Sequence, residues 1–585
     1  MKAPAGAAGG SVPAKKTLVF LYLSVFLVSV VLYLPTLRHS FVWDDSDIRP
    51  FGPASDGLYS IFMGRGLYFR PFVVLSERLD FALWSGNPIG FHLTNIVMNG
   101  LASVGAFSVA LLLLTDIPAA LLATALFLTH PSHPDSVAWI SGRTDVMASL
   151  FLFFGLASHM SFRSEGRRDA AALSPLFMLF SLFCKETALV FPLLVLAYDR
   201  IVKKVAWRKT VGVQLTLVPI LIFYAFLRRG FSFSHALSEL VTKTSAASSS
   251  SAASPTVIDR VEQAFLALGF YIKKILLPGE IVQYPDFSST FNLVVAAFFV
   301  VCLLILVRRR RQDTALFGLL FGFLTLAPAL LVLLAGDIGS KVAVRYVFIP
   351  VFGFSLCAGC FYGRAPRKKA VAIGLVVVVL CFTGMTVMRN AVWKNNMSLW
   401  SYEFEVNPGS AMAHVQYAMA LQGQRRYDEA DRRIDYLLTH LDSLRYRETM
   451  DIRCSMLAVK GTVAMGRRDI DRAETYFLRA RDCNRKLRGV EFMLGNIELA
   501  RYRSDHEIAR LKIAERYFQD ELGKGASIET VFSLAQTREL LGLNEQALQL
   551  YGRVIDMDPT SEFARNAFLR MQRMRSDGGS LVEQQ

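Results

Sequence analysis

The residues able to do chemistry sit in short polar islands between apolar runs. The first island is Trp43-Asp44-Asp45. Adjacent carboxylates beside an apolar wall can act as a general base or hold a divalent cation. An Asp in that place can equally cap a helix. Arg70 follows in Tyr68-Phe69-Arg70-Pro71, and then His92 and Asn95 share one helical face. The densest island is His130-Pro-Ser-His133-Pro-Asp135 with Arg143-Thr-Asp145. Ionisable groups at membrane depth cost about 2.5–3.5 kcal/mol unless paired or functional. This island is therefore either a site or a buried Arg–Asp pair that ties two short helices together. Its two prolines make it unlike helical His-x₃-His metal sites. Lys185-Glu186, Arg345-Tyr346 and Tyr284-Pro-Asp286 complete the set. Carboxylates for base chemistry and Arg or Lys for an anion are what a phosphate leaving group at a membrane surface needs.

Other chemistries lack their motifs. There is no Walker A, G-x-G-x-x-G, H-E-x-x-H or G-x-S-x-G string, which argues against an ATP-driven pump or a serine hydrolase. Cys357-Ala-Gly-Cys360 spells C-x-x-C, but it lies in an apolar run without further ligands and reads as filler. No cofactor is assigned; a divalent cation at the carboxylates is the candidate.

These islands must be held by membrane helices. Of 585 residues, 53% are hydrophobic and only 19% charged, and mean hydropathy is +0.36. That excludes disorder over most of the chain, a disulfide-dense secreted module and a soluble multidomain enzyme. The net charge of +16 would suggest nucleic acid in a soluble chain. Here the basic residues cluster in short loops between apolar runs, as cytoplasmic membrane loops do, so nucleic acid is not an expected partner. Runs long enough to span, or nearly so, are 17–37, 91–114, 117–129, 146–162, 173–183, 188–196, 211–227, 291–307, 315–335, 347–361 and 370–388. That makes about eleven spans. The basic loops, including 308–311, belong inside, as does an N-terminal tail over 1–16. Basic residues at both ends of 173–198 favour a hairpin with Lys185-Glu186 at its outer tip. Segment 261–277 carries Lys273 and Lys274 and reads as an interfacial helix. The bundle then covers 17–388, with large outer loops at 38–90 and 228–290 and a low-complexity stretch at 244–255. An odd span count leaves everything after Arg389 outside.

After a connector at 389–410 the sequence turns charged and helical. Small and aromatic residues recur at about the 34-residue spacing of tetratricopeptide units over 411–572, and 573–585 reads as a flexible tail. Gly461, Ala473, Phe477 and Ala480 mark one unit. Leu534, Ala535, Ala547, Tyr551 and Pro559 mark another, and Ala418, Tyr427, Ala430 and Ile434 a third. A weaker unit has Leu494 and Gly495 but Glu507 where Ala is expected. Cys454 and Cys483 fall where antiparallel helices bring their ends together, and an oxidising compartment would let them pair. The fold class is thus all-α: a polytopic membrane bundle followed by a helical-repeat solenoid.

The strings FVWDD (41–45), YFRP (68–71), NPIGFHLTN (87–95), HPSHPDSVAWISGRTD (130–145), CKE (184–186), RYVFIP (345–350) and the WKNN–NP entry (393–408) resemble the transmembrane and tetratricopeptide-repeat O-mannosyltransferase-like family. Pro134-Asp135 stands where that pattern usually has Thr-Glu. The resemblance implies a GT-C type glycosyltransferase that moves a sugar from a polyprenyl or dolichyl phosphate to a hydroxyl. Asp44 or Asp45 would take the proton in a single, inverting displacement. Arg70, His130, His133, Asp135, Arg143, Asp145, Lys185, Glu186, Arg345 and Tyr346 would bind substrate and phosphate. Expected partners are the lipid-phosphate sugar, a protein acceptor presented by the repeats, and membrane lipids. A bacterial inner membrane with periplasmic repeats is the first expectation, an endoplasmic reticulum membrane with lumenal repeats the second. A membrane-anchored scaffold or a polyprenyl-lipid transport component stays open as a non-enzymatic reading.

Overall fold

The computed structural model describes residues 14–48, 61, 69–243, 256–280, 282, 283, 285–309, 313–334, 342–441, 449–525, 527–557, 559 and 561–582. Tyr68, Tyr284, the low-complexity stretch, and Arg310 and Arg311 of the basic run lie outside them. The described residues form helices and turns without strands. They divide into two compact units, one reaching Leu399 and the other running from Trp400 onward.

The first unit is the membrane bundle. Its helices are α1 (Lys15–Tyr33), α2 (Pro71–Trp84), α3 (Pro88–Leu114), α4 (Ile117–Leu128), α5 (Arg143–Glu165), α6 (Arg168–Leu182), α7 (Phe191–Ala197), α8 (Trp207–Lys243), α9 (Val257–Leu276), α10 (Thr290–Arg309), α11 (Asp313–Leu334), α12 (Pro350–Arg364) and α13 (Lys368–Val392). Local chemistry sets several ends. Asn87 and Asp116 cap α3 and α4 through backbone N–H groups, with a proline in each first turn. Gly166 ends α5 in the left-handed region. Among the described residues, six helical segments are long and apolar enough to cross a bilayer, and Ile117–Leu128 and Thr290–Ile305 are shorter apolar helices. The eleven expected spans are therefore not all matched by helices of spanning length.

The expected 173–198 hairpin is present. At its tip, Lys185 bonds Asp145 at the start of α5. Beyond α7, Asp199 bonds His159 and Arg163 near the end of α5. Both arms thus lie along one helix, with the charged tip at one end. Small residues allow the closest helix crossing. A Cβ on Gly353 of α12 would meet the Gly318 carbonyl of α11 at 2.3 Å. At helix ends remote from Asp145, Lys368 pairs with Asp116 and Lys204 with Asp313.

After α14 (Asn396–Val406), the second unit stacks four antiparallel hairpins and a last helix. These are α15 (Ala411–Gly423) with α16 (Tyr427–His440), α17 (Thr449–Gly466) with α18 (Ile470–Cys483), α19 (Val490–Asp505) with α20 (Ile508–Lys524), α21 (Ile528–Leu540) with α22 (Asn544–Met557), and α23 (Glu562–Val582). The tail expected from 573 is helical as far as Val582. The small-then-large pattern has a direct physical cause. A Cβ on Gly461 would stand 2.6 Å from the Phe477 ring, and one on Gly495 the same distance from Phe518. The weak unit follows the same rule in a shifted register. Its glycine packs on an aromatic seven residues later in register than Gly461 does, because α19 runs five residues further past its glycine than α17, and the aromatic lies three residues further into α20 than into α18. Seven residues nearly restore the helix face, so Ala514 and not Glu507 takes the small position and is fully buried. Cys454 and Cys483 form a disulfide with Cα atoms 5.5 Å apart, as their placement in the hairpin predicts.

Candidate active site

The polar islands meet at one end of the bundle, where each can be followed from its own helix. Asn95, one turn into α3 beyond His92, points its amide at the loop after α4. Its Nδ2 donates to the carbonyls of Val137, Trp139 and Ile140 at 3.2–3.3 Å. That loop turns sharply at Gly142, where a Cβ would meet Ser136 Cα at 2.7 Å. The loop is thereby fixed, and the first island is fixed to it.

The two adjacent aspartates part ways. Asp45 is buried. Its Oδ1 accepts from Ser141 N (2.8 Å) and Ser141 Oγ (2.7 Å), and its Oδ2 from Val42 N (3.0 Å). Burial nonetheless pushes its carboxyl up to about 6, against the pull of those donors. Asp44 is exposed and lies within electrostatic reach of Arg345. The clamped residue is an anchor, and its neighbour is exposed.

The cations separate in the same way. Arg143 is fully buried. It pairs with Asp80 of α2 at 2.7 Å and donates to Ser76 Oγ and the Phe91 carbonyl, both at 3.1 Å. Asp135 accepts from Arg389 Nε and Nη2 (3.1 and 3.0 Å), from Trp393 Nε1 (2.9 Å) and from Gln283 Nε2 (3.1 Å). It pins the loop to the end of α13. Lys185 is held by Asp145 and lies 5.0 Å from the Tyr346 ring centroid. Arg70 pairs with Glu186 at 3.3 Å. His130 bonds Ser132 Oγ (2.7 Å) and the Ile275 carbonyl (3.0 Å), and His133 packs on Phe348 at 4.2 Å. Both histidines are buried among aromatic rings. Asp286 is exposed, and its Oδ1 accepts from Ser288 N (3.0 Å) and Ser288 Oγ (2.6 Å), which is a local turn contact.

Arg345 differs from all of these. It is half-buried, and its Cζ lies 5.2 Å from the Trp139 ring centroid and 5.3 Å from that of Tyr346. Among the described residues, no hydrogen bond or ion pair engages its guanidinium. The carboxylates of Asp145, Asp44 and Asp135 all act on it. The site therefore presents one exposed carboxylate and one guanidinium with donors to spare.

Several contributors were missed in the sequence. Asp80 is Arg143's partner, and Ser76 and Glu77 join it on the buried face of α2. Burial drives the Glu77 carboxyl up to about 7; Arg143 opposes this, and Asp45 and Asp80 reinforce it. Polar residues at 76, 77 and 80 of a largely apolar helix were the available signal, since that spacing puts them on one face. Trp139 and Trp393 stack on one another, and Trp43 stacks on Trp139. Among the described residues, no group of three or more His, Cys, Asp or Glu side chains is arranged to hold a metal ion.

Relatives point the same way as the strings in the sequence. Protein O-mannosyl-transferase Tmtc1 of Drosophila melanogaster is 34% identical over 179 residues, covering 28% of this chain and 20% of that protein. Protein O-mannosyl-transferase TMTC1 of Homo sapiens is 24% identical over 488 residues, covering 69% of this chain and 53% of that protein. The chain resembles the TMTC O-mannosyl-transferases. It spans about a fifth of the Drosophila relative's length and about half of the human one's. No family model matches it. ArnT from Cupriavidus metallidurans bound to undecaprenyl phosphate aligns with 92% of this chain and 80% of its own, at 13% identity and a TM-score of 0.36. Pseudomonas aeruginosa PilF aligns with 47% of this chain and 96% of its own, at 13% identity and a TM-score of 0.24.

Proposed function

We propose that the chain is an integral-membrane glycosyltransferase of GT-C type. It moves a sugar, mannose by resemblance to its relatives, from a polyprenyl phosphate to a hydroxyl on a protein acceptor. One observation carries this reading: an exposed carboxylate, Asp44, and a guanidinium without an acceptor, Arg345, belong to the same cluster, while the other singled-out cations have carboxylate partners. Asp44 takes the proton of the acceptor hydroxyl. The oxygen bonds to the anomeric carbon as the bond from that carbon to the phosphate oxygen breaks. Polyprenyl phosphate leaves with its charge held by Arg345, a strong charge-assisted contact in a partly dry site. A single displacement inverts the anomeric centre. No nucleotide is required at the site, in keeping with the missing phosphate-loop motifs.

The chain leaves the bundle at the site end. Arg389 and Trp393, at the close of α13, bond Asp135 within the cluster, so the chain leaves the last span on the face where the chemistry occurs. The Cys454–Cys483 disulfide supports an oxidising compartment on that face. These observations support a periplasmic or lumenal site, and we assign the repeats the presentation of the acceptor. The test is to incubate purified protein with labelled polyprenyl-phosphate mannose and candidate protein acceptors. Label on the acceptor supports the reading. Donor binding without transfer to any hydroxyl supports the transport alternative.

A further inference from the structure

Asp44 lies between two residues that are held by the same short segment. Before it, Trp43 has φ +56°, a region that a bulky residue enters only when its surroundings hold it there. Its N–H donates to Asn396 Oδ1 at 2.8 Å, and its indole stacks on Trp139 with centroids 5.1 Å apart and planes 21° apart. After it, Asp45 is bonded to Ser141 N and Oγ. Trp139 and Ser141 belong to the loop that Asn95 and the close approach at Gly142 immobilise. Trp139 also stacks on Trp393, with centroids 5.6 Å apart and planes at 18°. The same indole carries the Arg345 guanidinium. One buried side chain thus touches the neighbour of the residue that bears the base and the cation that faces the leaving group.

We infer that Trp139 is a positioning residue for the transfer, its indole fixing the separation between the Asp44 carboxylate and the Arg345 guanidinium. This rests on the glycosyl-transfer reading above. An acceptor oxygen and a leaving phosphate must lie on opposite sides of one anomeric carbon, so the base and the cation have to stay a set distance apart. Asp44 stands on a short 3-10 turn that offers little stiffness of its own. The Trp43–Trp139 stack and the Asp45–Ser141 bonds supply it. A misplacement of about 1 Å in such a site can cost on the order of a hundredfold in rate.

The experiment compares Trp139→Leu and Trp139→Phe with the wild-type protein. It reads kcat per folded molecule, the affinity for undecaprenyl phosphate, and deuterium uptake by the peptide spanning 42–48. Trp139→Leu should lower kcat on the order of a hundredfold and speed exchange in that peptide. Its affinity for undecaprenyl phosphate should change by less than about tenfold, because Arg345 keeps its charge. Trp139→Phe keeps a stacking ring and should restore most of the rate. Unchanged kcat and unchanged exchange in folded Trp139→Leu would overturn the assignment. So would loss of folded protein in both variants with normal kcat in the part that folds. If the wild-type protein transfers no sugar while exchange in Trp139→Leu still rises, the positioning contact stands and the glycosyl-transfer reading fails.

Discussion

The polar end of the membrane unit and the surface of the repeats use ion pairs in opposite ways. At that polar end the pairs are buried: the side chains of Arg143 and Asp80 are 0% and 5% exposed. On the repeats many pairs lie at the surface: Arg426 and Glu429 are each 42% exposed. Exposed pairs are worth about 0–1 kcal/mol. Breaking a buried pair costs about 3–5 kcal/mol, because it strands a charge away from water. Arg467 with Asp428 and Asp431, and Arg501 with Asp471 and Glu474, decorate hairpins already held by Gly461 on Phe477 and Gly495 on Phe518. Arg143–Asp80, Lys185–Asp145 and Arg389–Asp135 hold the membrane unit's polar end together. A guanidinium without a hydrogen bond or ion pair in such a place is therefore informative, and among the described residues Arg345 is such a guanidinium.

The largest effect should separate the two adjacent aspartates. Asp44→Asn should cut turnover by about 10²–10⁴, the usual range for a general base, and leave donor binding intact. Asp45→Asn should act through stability, by loosening Ser141 and Val42. Equal turnover losses with normal folding in both variants would erase that distinction. Next comes the contrast between pairs. Asp80→Ala should destabilise the membrane unit by about 3–5 kcal/mol, whereas Glu429→Ala should cost under about 1 kcal/mol. Chemical unfolding of the two variants checks this, and similar values would break the comparison.

The repeats have a stronger tie than their ion pairs. Reducing Cys454–Cys483 should lower the stability of its hairpin by about 3 kcal/mol. A mass shift of the joined peptides on reduction verifies the bond, and unchanged resistance to proteolysis afterwards would contradict its role. A further effect, spread over a pH range, belongs to Glu77, whose carboxyl is pushed up to about 7 by burial. Between the ordinary glutamate range and about 7, the folded chain keeps a proton that the unfolded chain has released. Stability is then fully present on the acid side and is lost as pH climbs through that window, by on the order of 3 kcal/mol. Melting temperatures from pH 5 to pH 8 should fall for the wild-type protein and flatten for Glu77→Gln. A parallel fall in both would exclude Glu77 as the cause.

Much of the architecture was legible because it depends on local patterns. Basic residues at both ends of 173–198 placed Lys185 at a hairpin tip, and spacing in the repeats placed Cys454 beside Cys483. The register of the Gly495 unit was hidden by two extra helical turns, which a fixed spacing cannot anticipate. The span count was less legible, since some apolar helices, such as Ile117–Leu128, are shorter than a bilayer crossing needs. In the site, residue types were readable but partners were not. Nothing local tells that Arg143 meets Asp80, that Asp135 meets Arg389, or that Trp139 joins Asp44's neighbour to Arg345. Those pairings come from tertiary packing, and they decide which charged groups are left for substrate.

The central claim is that paired cations hold the site and Arg345 serves it. The most direct measurement is the affinity of purified protein for undecaprenyl phosphate, taken with its melting temperature, for the wild type and Arg345→Gln. Loss of a charge-assisted contact should weaken binding by tenfold or more, about 1.5–3 kcal/mol, while the melting temperature stays near the wild-type value. A falling melting temperature with unchanged affinity would make Arg345 another structural cation and would contradict the account.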